Sequence, residues 1–296
     1  MNPRLSLGTS AVAIVLGLAA CGGGSSEPTA SKGSAAASFE QPFTDVDAYP
    51  VFASSEIVKG PNRFLIGLLN DEDAPIASPE ISMHVAFFDL DESADRPEFE
   101  TEAGFLDSGP RGLYVTYPTF DSTGRWGAEV TVSGPGLEET VRAGFDVAAE
   151  PVTPAIGEKV PPSQTPTSED APLREITTDD APDPRFYETS VGEALAAGEP
   201  FVVTFATPKF CTSAVCAPTL DIVKKVSQDW PAVTFIHVEV YENLDDPSNL
   251  EPVPAIRQWG LPSEPWVFVV DGRGRVAAKF EGTLSPAELD EALAEV

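Results

Sequence analysis

Cys211 and Cys216 bracket the end of the run Thr207-Pro208-Lys209-Phe210-Cys211-Thr212-Ser213-Ala214-Val215-Cys216, between an apolar strand and a helix. They are two of three cysteines in 296 residues. A thiolate is the nucleophile of disulfide exchange, and a helix entrance favours it, because unpaired N–H groups and the helix dipole stabilise negative charge there. The pair therefore reads as a redox dithiol: Cys211 attacks, Cys216 resolves the mixed disulfide, and Lys209 is close enough in sequence to favour the thiolate. Helical residues i and i+5 stand about 8.6 Å apart at Cα, beyond the ~7 Å that a disulfide spans. If the pair closes, residues 212–215 cannot all be regular helix: either Cys211 lies in a loop ahead of the helix or the first turn is distorted.

The third cysteine ends a different pattern. Arg4 gives a basic start, Leu5 to Leu18 an apolar stretch too short for a membrane span, and Leu18-Ala19-Ala20-Cys21 closes it. That ending resembles the lipobox of bacterial lipoproteins. The resemblance implies a signal peptide over 1–20, cleavage before Cys21, and lipid on that sulfur. The chain would then be exported and held on the bacterial cell membrane, facing outward into the periplasm or at the cell surface. The polar, Gly/Ser-rich residues that follow fit a flexible tether over 21–40. Disulfides persist outside the cytoplasm, and one lipidated cysteine plus one pair accounts for three.

Net charge is −29, from 47 acidic and 18 basic residues, which argues against nucleic acid or an anionic membrane surface as ligand. The carboxylates are dispersed rather than set at cation-ligand spacing, so they read as a solubilising surface. No cofactor and no metal is expected.

Two folded regions must carry these groups. Residues 151–184 hold eight prolines among Ser, Thr, Asp and Glu, a composition that cannot bury a core of its own and reads as an extended linker or a surface wrap. Ahead of it, 41–150 reads as β throughout, with strands at 63–69, 81–88, 112–116, 126–132 and 143–147 punctuated by Gly, Pro, Asp and Asn. This predicts a β-sandwich of immunoglobulin type. Gly112-Leu113-Tyr114, Phe120, Gly124-Arg125-Trp126 and Val130-Thr131-Val132 resemble the end of exported YtkA-like or CopC-like sandwich domains. Some of those relatives bind copper, but His84 is the one histidine here and reads as a packed or surface residue.

After the linker, 185–296 alternates: a helix at 191–197, a strand at 201–206, the cysteine run, and a helix with apolar Leu220, Val223 and Val226. A buried strand at 233–240, a short helix at 255–259, and a hairpin of 266–270 and 275–280 follow. Ser285-Pro286-Ala287-Glu288 opens the last helix with a cap, an N1 proline and a capping-box glutamate. The order β-α-β-α-β-β-α, with the dithiol after its first strand, resembles the thioredoxin-like fold of exported bacterial proteins. The run from Trp259 through Glu264-Pro265-Trp266 to Val276 carries that resemblance furthest. It implies that Pro265 is a cis-proline packed against the dithiol, and that Glu264, Pro265 and Trp266 line the cleft where a partner's extended chain docks.

Departures from the family are specific. Thioredoxins use Cys-x-x-Cys, and their buried proton-carrying aspartate falls here on Thr204, which cannot serve as a base at neutral pH. The Cys-x-x-x-x-Cys spacing resembles one branch of the peroxiredoxins, but the activating arginine of that family falls on Pro265, with Arg257 the nearest substitute in sequence. A copper chaperone of the Sco type would need a histidine ligand, and His237 lies inside an apolar strand. The resulting expectation is an anchored extracytoplasmic thiol–disulfide oxidoreductase acting on protein thiols or disulfides, or on a redox donor, in the cell envelope. The alternatives are a binding or scaffold lipoprotein with a structural Cys211–Cys216 bond, and a thiol peroxidase.

Overall fold

The computed structural model describes residues 35–107 and 112–296. The signal peptide, Cys21 and most of the tether expected from the sequence lie outside the described residues. No helix among those described is long and apolar enough to cross a membrane.

The first part is built from β1 (Ala48–Phe52), β2 (Gly60–Pro61), β3 (Phe64–Asn70), β4 (Ser82–Asp89), β5 (Phe99–Leu106), β6 (Leu113–Thr116), β7 (Thr119–Phe120), β8 (Gly124–Gly134) and β9 (Leu137–Val147). Seven of them hydrogen-bond in the order β1-β3-β6-β5-β4-β8-β9. β5 pairs with β4 through Phe99–Ala103 and with β6 through Gly104–Leu106, so it passes from one layer to the other and the sheet folds over a shared core. Side chains alternate across a strand, and that core takes one face of each: Phe64, Ile66 and Leu68 of β3, Met83, Val85 and Phe87 of β4, Trp126, Ala128, Val130 and Val132 of β8. Phe64, Phe87, Phe120 and Phe145 meet there mostly edge to face, the arrangement that ring quadrupoles favour.

Strands β1, β2, β5 and β7 are absent from the sequence reading, and β9 begins six residues earlier than expected. For β5 and β9 the reason is physical. β5 sets Glu100 and Glu102 on its solvent side and carries Ala103 and Gly104, so its alternation is diluted. The first half of β9 is mostly polar and partly exposed, its backbone paired with β8 from Gly134↔Leu137 onward.

The proline-rich stretch packs as a wrap. Thr153, Ser163, Thr165, Thr167 and Val160 are buried. Residues 157–160 add backbone hydrogen bonds to the 274–276 turn, and Ser163 accepts from the indole of Trp259. Gly260 adopts φ +63 under Val152, where a Cβ would meet that carbonyl oxygen at 2.3 Å, so only glycine admits the wrap here. The wrap ends in a short helix, α1 (Leu173–Ile176).

The remainder runs α2 (Val191–Ala197), β10 (Phe201–Ala206), α3 (Cys216–Val226), β11 (Thr234–Glu239), β12 (Tyr241–Glu242), β13 (Glu251–Pro252), α4 (Pro254–Gln258), β14 (Trp266–Val270), β15 (Val276–Glu281) and α5 (Pro286–Ala294). The main sheet is ordered β11-β10-β14-β15, with β10 parallel to β11 and antiparallel to β14. Both capping boxes form, at Ser190/Glu193 and Ser285/Glu288. β10 is buried on both faces: Phe201, Val203 and Phe205 join one core, while Val202 packs with Leu220 and Val223 of α3 in the other.

Side chains tie the two parts together. Arg63, just ahead of β3, reaches Glu288 of α5, and Lys279 of β15 reaches Glu56 and Thr153.

Candidate functional site

A disulfide joins Cys211 and Cys216, with Cα atoms 6.0 Å apart. The chain reaches that distance because Cys211 lies in the loop and α3 begins only at Cys216. The loop is coiled by Cys211 N–H donating to Thr207 O and Ala214 N–H to Cys211 O. Ala214 takes φ +61, the left-handed region that a side-chain-bearing residue enters at a cost of about 1 kcal/mol or more. That one residue turns the chain back so that the sulfurs meet.

The two sulfurs differ in access. Cys216 is fully buried at 0% exposure, whereas Cys211 is partly exposed. The first amide of α3, Cys216 N–H, donates to Cys211 Sγ at 3.3 Å, and Ser213 Oγ lies 3.2 Å from the same sulfur. A helix-terminal amide without an intrahelical acceptor thus serves the accessible sulfur, a placement that lowers a thiol pKa. The ammonium of Lys209 sits over the Phe210 ring, 5.3 Å from its centroid.

The Glu264–Pro265 peptide is cis. Glu264 is half-buried, and burial pushes its carboxyl up. Trp266 does not face outward: it is 2% exposed, stacks on Phe268 and donates its indole N–H to Ser263, so its bulk supports the loop from the core.

Thr204 stands on the face of β10 that α3 covers, wholly buried, its hydroxyl without a hydrogen-bond partner among the described residues. His237, on the neighbouring strand, is buried in a polar cluster. Its Nε2–H donates to Ala206 O at 3.0 Å, which leaves Nδ1 to accept from Tyr187 OH at 2.7 Å. Burial lowers its pKa, against the opposing pull of Glu239. Both ring nitrogens are committed, and the histidine acts as a core tie. His84 lies far off in the first part, 3.4 Å from Glu100 across β4 and β5. Arg257 donates to Pro252 O rather than to either sulfur.

Sequence reasoning brought Cys211, Cys216 and Glu264-Pro265 forward and missed Ser213 and Ala214. Ser213 carried a signal, a hydroxyl two residues from a cysteine; Ala214 carried none, since alanine gives no hint of a left-handed conformation.

No family model matches the chain, and no curated protein matches it. Among solved structures, it is similar to a DsbF homologue from Corynebacterium diphtheriae, at 17% identity over 36% of this chain and 77% of that one, with a TM-score of 0.30. It is also similar to the Lin-41 filamin domain, at 11% identity over 36% of this chain and 95% of that one, TM-score 0.22. A third similarity is to the Escherichia coli adhesin FdeC, at 15% identity over 43% of this chain and 38% of that one, TM-score 0.23. The chain spans well under half the length of that adhesin structure.

Proposed function

We propose that this chain is a thiol–disulfide exchange protein with Cys211 and Cys216 as its dithiol. The observation that carries the reading is the unequal pair at the mouth of α3: a partly exposed Cys211 sulfur holding a free helix amide, and a fully buried Cys216 behind it. In the reduced protein the Cys211 thiolate attacks a partner disulfide, forming a mixed disulfide and releasing one partner thiolate, which takes a proton from water. The Cys216 thiolate then attacks Cys211 Sγ, closing the internal disulfide and releasing the second partner thiol. Two electrons pass from the protein to the partner, and the reverse sequence oxidises a partner dithiol. Pro265 and Glu264 line the docking cleft in this reading. The exported setting, with lipid on Cys21, belongs to the same proposal and is tested by loss of membrane association in Cys21→Ser.

A structural staple is the second reading. The partnerless Thr204 hydroxyl favours it, because that position supplies no proton carrier.

The reduction potential of the pair, together with turnover of a protein disulfide and of peroxide by wild type, Cys211→Ser and Cys216→Ser, decides between them. Exchange predicts protein-disulfide turnover lost in both variants. A potential below about −300 mV with no turnover assigns the staple, and peroxide consumption lost in Cys211→Ser assigns the peroxidase.

A further inference from the structure

A cavity of about 400 Å³ opens where the first β sheet faces the cysteine loop. Its origin is a missing side chain. On β3, Phe64, Ile66 and Leu68 turn into the sandwich core, so Leu65, Gly67 and Leu69 turn the other way, and all three line the cavity. At Gly67 the alternation calls for a side chain and supplies none. A Cβ built there would meet Leu113 Cδ2 and Val51 O at 3.6 Å, ordinary contact, so neither packing nor backbone conformation demands glycine. What the glycine preserves is the space.

The opposite wall belongs to the redox loop. Ser213 and Val215 line it, and Ser213 Oγ is the atom 3.2 Å from Cys211 Sγ. Glu264 and Glu281 line the cavity as well, and among the described residues no cationic side chain does. The Glu281 carboxylate is occupied, accepting from Ser55 N–H and the Ser263 hydroxyl. Glu264 makes no hydrogen bond or ion pair among the described residues. The carboxyl, pushed up by its burial, would be relieved by a nearby cation.

We propose that this cavity is the side-chain pocket of the exchange site, taking a large aliphatic residue of an extended cysteine-containing polypeptide whose neighbouring basic residue pairs with Glu264. The proposal rests on the thiol-exchange reading and names its substrate class. Size and charge select this occupant. The volume suits one or two side chains, whereas a stable dimer buries about 800 Å² on each partner over a broad face. A carboxyl without a partner among the described residues, in a mostly apolar lining and on a chain of net charge −29, selects a basic apolar segment over an acidic one. The first β sheet is thereby part of the substrate site.

The test uses the full-length reduced protein and three short peptides whose single cysteine is a mixed disulfide with thionitrobenzoate, read by chromophore release. The first peptide places leucine and lysine beside the cysteine, the second has serine for leucine, and the third glutamate for lysine. The first should react about tenfold faster than the second, the discrimination that a few methylenes give in an apolar pocket, and severalfold faster than the third. Within Gly67→Leu the leucine-to-serine rate ratio should collapse toward one, with Gly67→Ala, whose Cβ meets only ordinary contacts, falling between. Within Glu264→Gln the lysine-to-glutamate ratio should collapse instead.

Equal rates for the three peptides, with exchange proceeding, would overturn the pocket and leave the exchange reading standing. If no disulfide is exchanged at all, binding of the S-methylated peptides to the oxidised protein decides. The same preferences then support the pocket while the exchange reading falls, and their absence overturns the pocket as well. Self-association in sedimentation that Gly67→Leu abolishes would assign the cavity to a second copy and overturn the proposal.

Discussion

The guanidinium of Arg63, the residue just ahead of β3, clasps the carboxylate of Glu288 on α5, Nε to Oε1 at 2.6 Å and Nη2 to Oε2 at 3.2 Å, across 225 residues of sequence. The same guanidinium donates to the carbonyls of Glu281 and Thr283, and Tyr117 OH donates to Glu288 as well. Glu288 is also the capping-box residue of α5, so one carboxylate starts a helix and joins the two sheets.

Removing Arg63 leaves that carboxylate buried without its cation. Arg63→Met is expected to cost roughly 3 kcal/mol, a fall in Tm of about 6–10 °C. Burial alone would raise the Glu288 carboxyl, but the hydrogen bonds and charge of Arg63, with Ser285 and Tyr117, outweigh it and hold the group below its usual value. A carboxyl depressed in the folded state gives stability that is complete above its unfolded value of about 4.3 and is lost as pH falls through the folded value. Wild type should therefore weaken below about pH 4.3, and the variant should lose this part of the slope. Urea unfolding between pH 3 and 6 measures both, and an unchanged acid slope in Arg63→Met would refute the assignment.

His237 sets a second pH dependence, displaced toward neutrality. Burial lowers its pKa and outweighs Glu239 and the Ala206 carbonyl, both of which favour the charged ring. The unfolded chain then binds a proton that the folded one refuses. Stability should be whole above the unfolded histidine value of about 6.5 and decline as pH falls below it, with a limiting slope of about 1.4 kcal/mol per pH unit until the folded value is reached. His237→Gln, which has no such proton to refuse, should show a flatter profile from pH 5 to 7. If its urea midpoints track wild type across that range, another group is responsible.

What sequence could and could not reveal follows from the range of each interaction. Ser285-Pro286-Ala287-Glu288 announced α5, and Leu220, Val223 and Val226 announced the buried stripe of α3, because caps and stripes are local. The cis Glu264–Pro265 peptide was legible only through resemblance. The Arg63–Glu288 clasp was invisible, since nothing near either residue encodes the other. Gly67 fell unremarked inside the strand read at 63–69, and only the facing cysteine loop gives its emptiness a shape. The composition of 151–184 left linker and wrap equally open, and buried threonines with backbone hydrogen bonds to the 274–276 turn decided for the wrap.

Ala214 governs how easily the disulfide closes. Its left-handed backbone accompanies the closed Cys211–Cys216 bond, and reduction is expected to release it at this residue. A β-branched residue enters that region at greater cost than alanine, and Ala214 is exposed, so the added methyls have room. Ala214→Val should destabilise the oxidised form against the reduced one by about 1 kcal/mol, raising the reduction potential by about 20 mV. Equilibration with glutathione measures it. A potential unchanged or lowered in the variant would show that the loop keeps its shape without the disulfide.

Reduction should expose the asymmetry of the pair directly. Opening a disulfide that closes so short a loop costs about 2 kcal/mol in chain entropy, so the reduced protein should unfold at lower urea yet remain folded at neutral pH. In the disulfide form the Cys211 sulfur accepts from the first amide of α3 and is partly exposed, while Cys216 is buried. The helix amide and dipole favour the Cys211 thiolate, and access decides which sulfur meets a reagent. Brief iodoacetamide treatment followed by peptide mass mapping should therefore place the first label on Cys211 in nearly all singly modified molecules. The rate should rise with pH through a midpoint below the free-cysteine value of about 8.5. Replacing Ser213 by alanine removes the hydroxyl beside that sulfur and should move the midpoint upward without changing which cysteine reacts first. Equal labelling of the two cysteines, or first labelling at Cys216, would reverse the roles of attacking and resolving thiol.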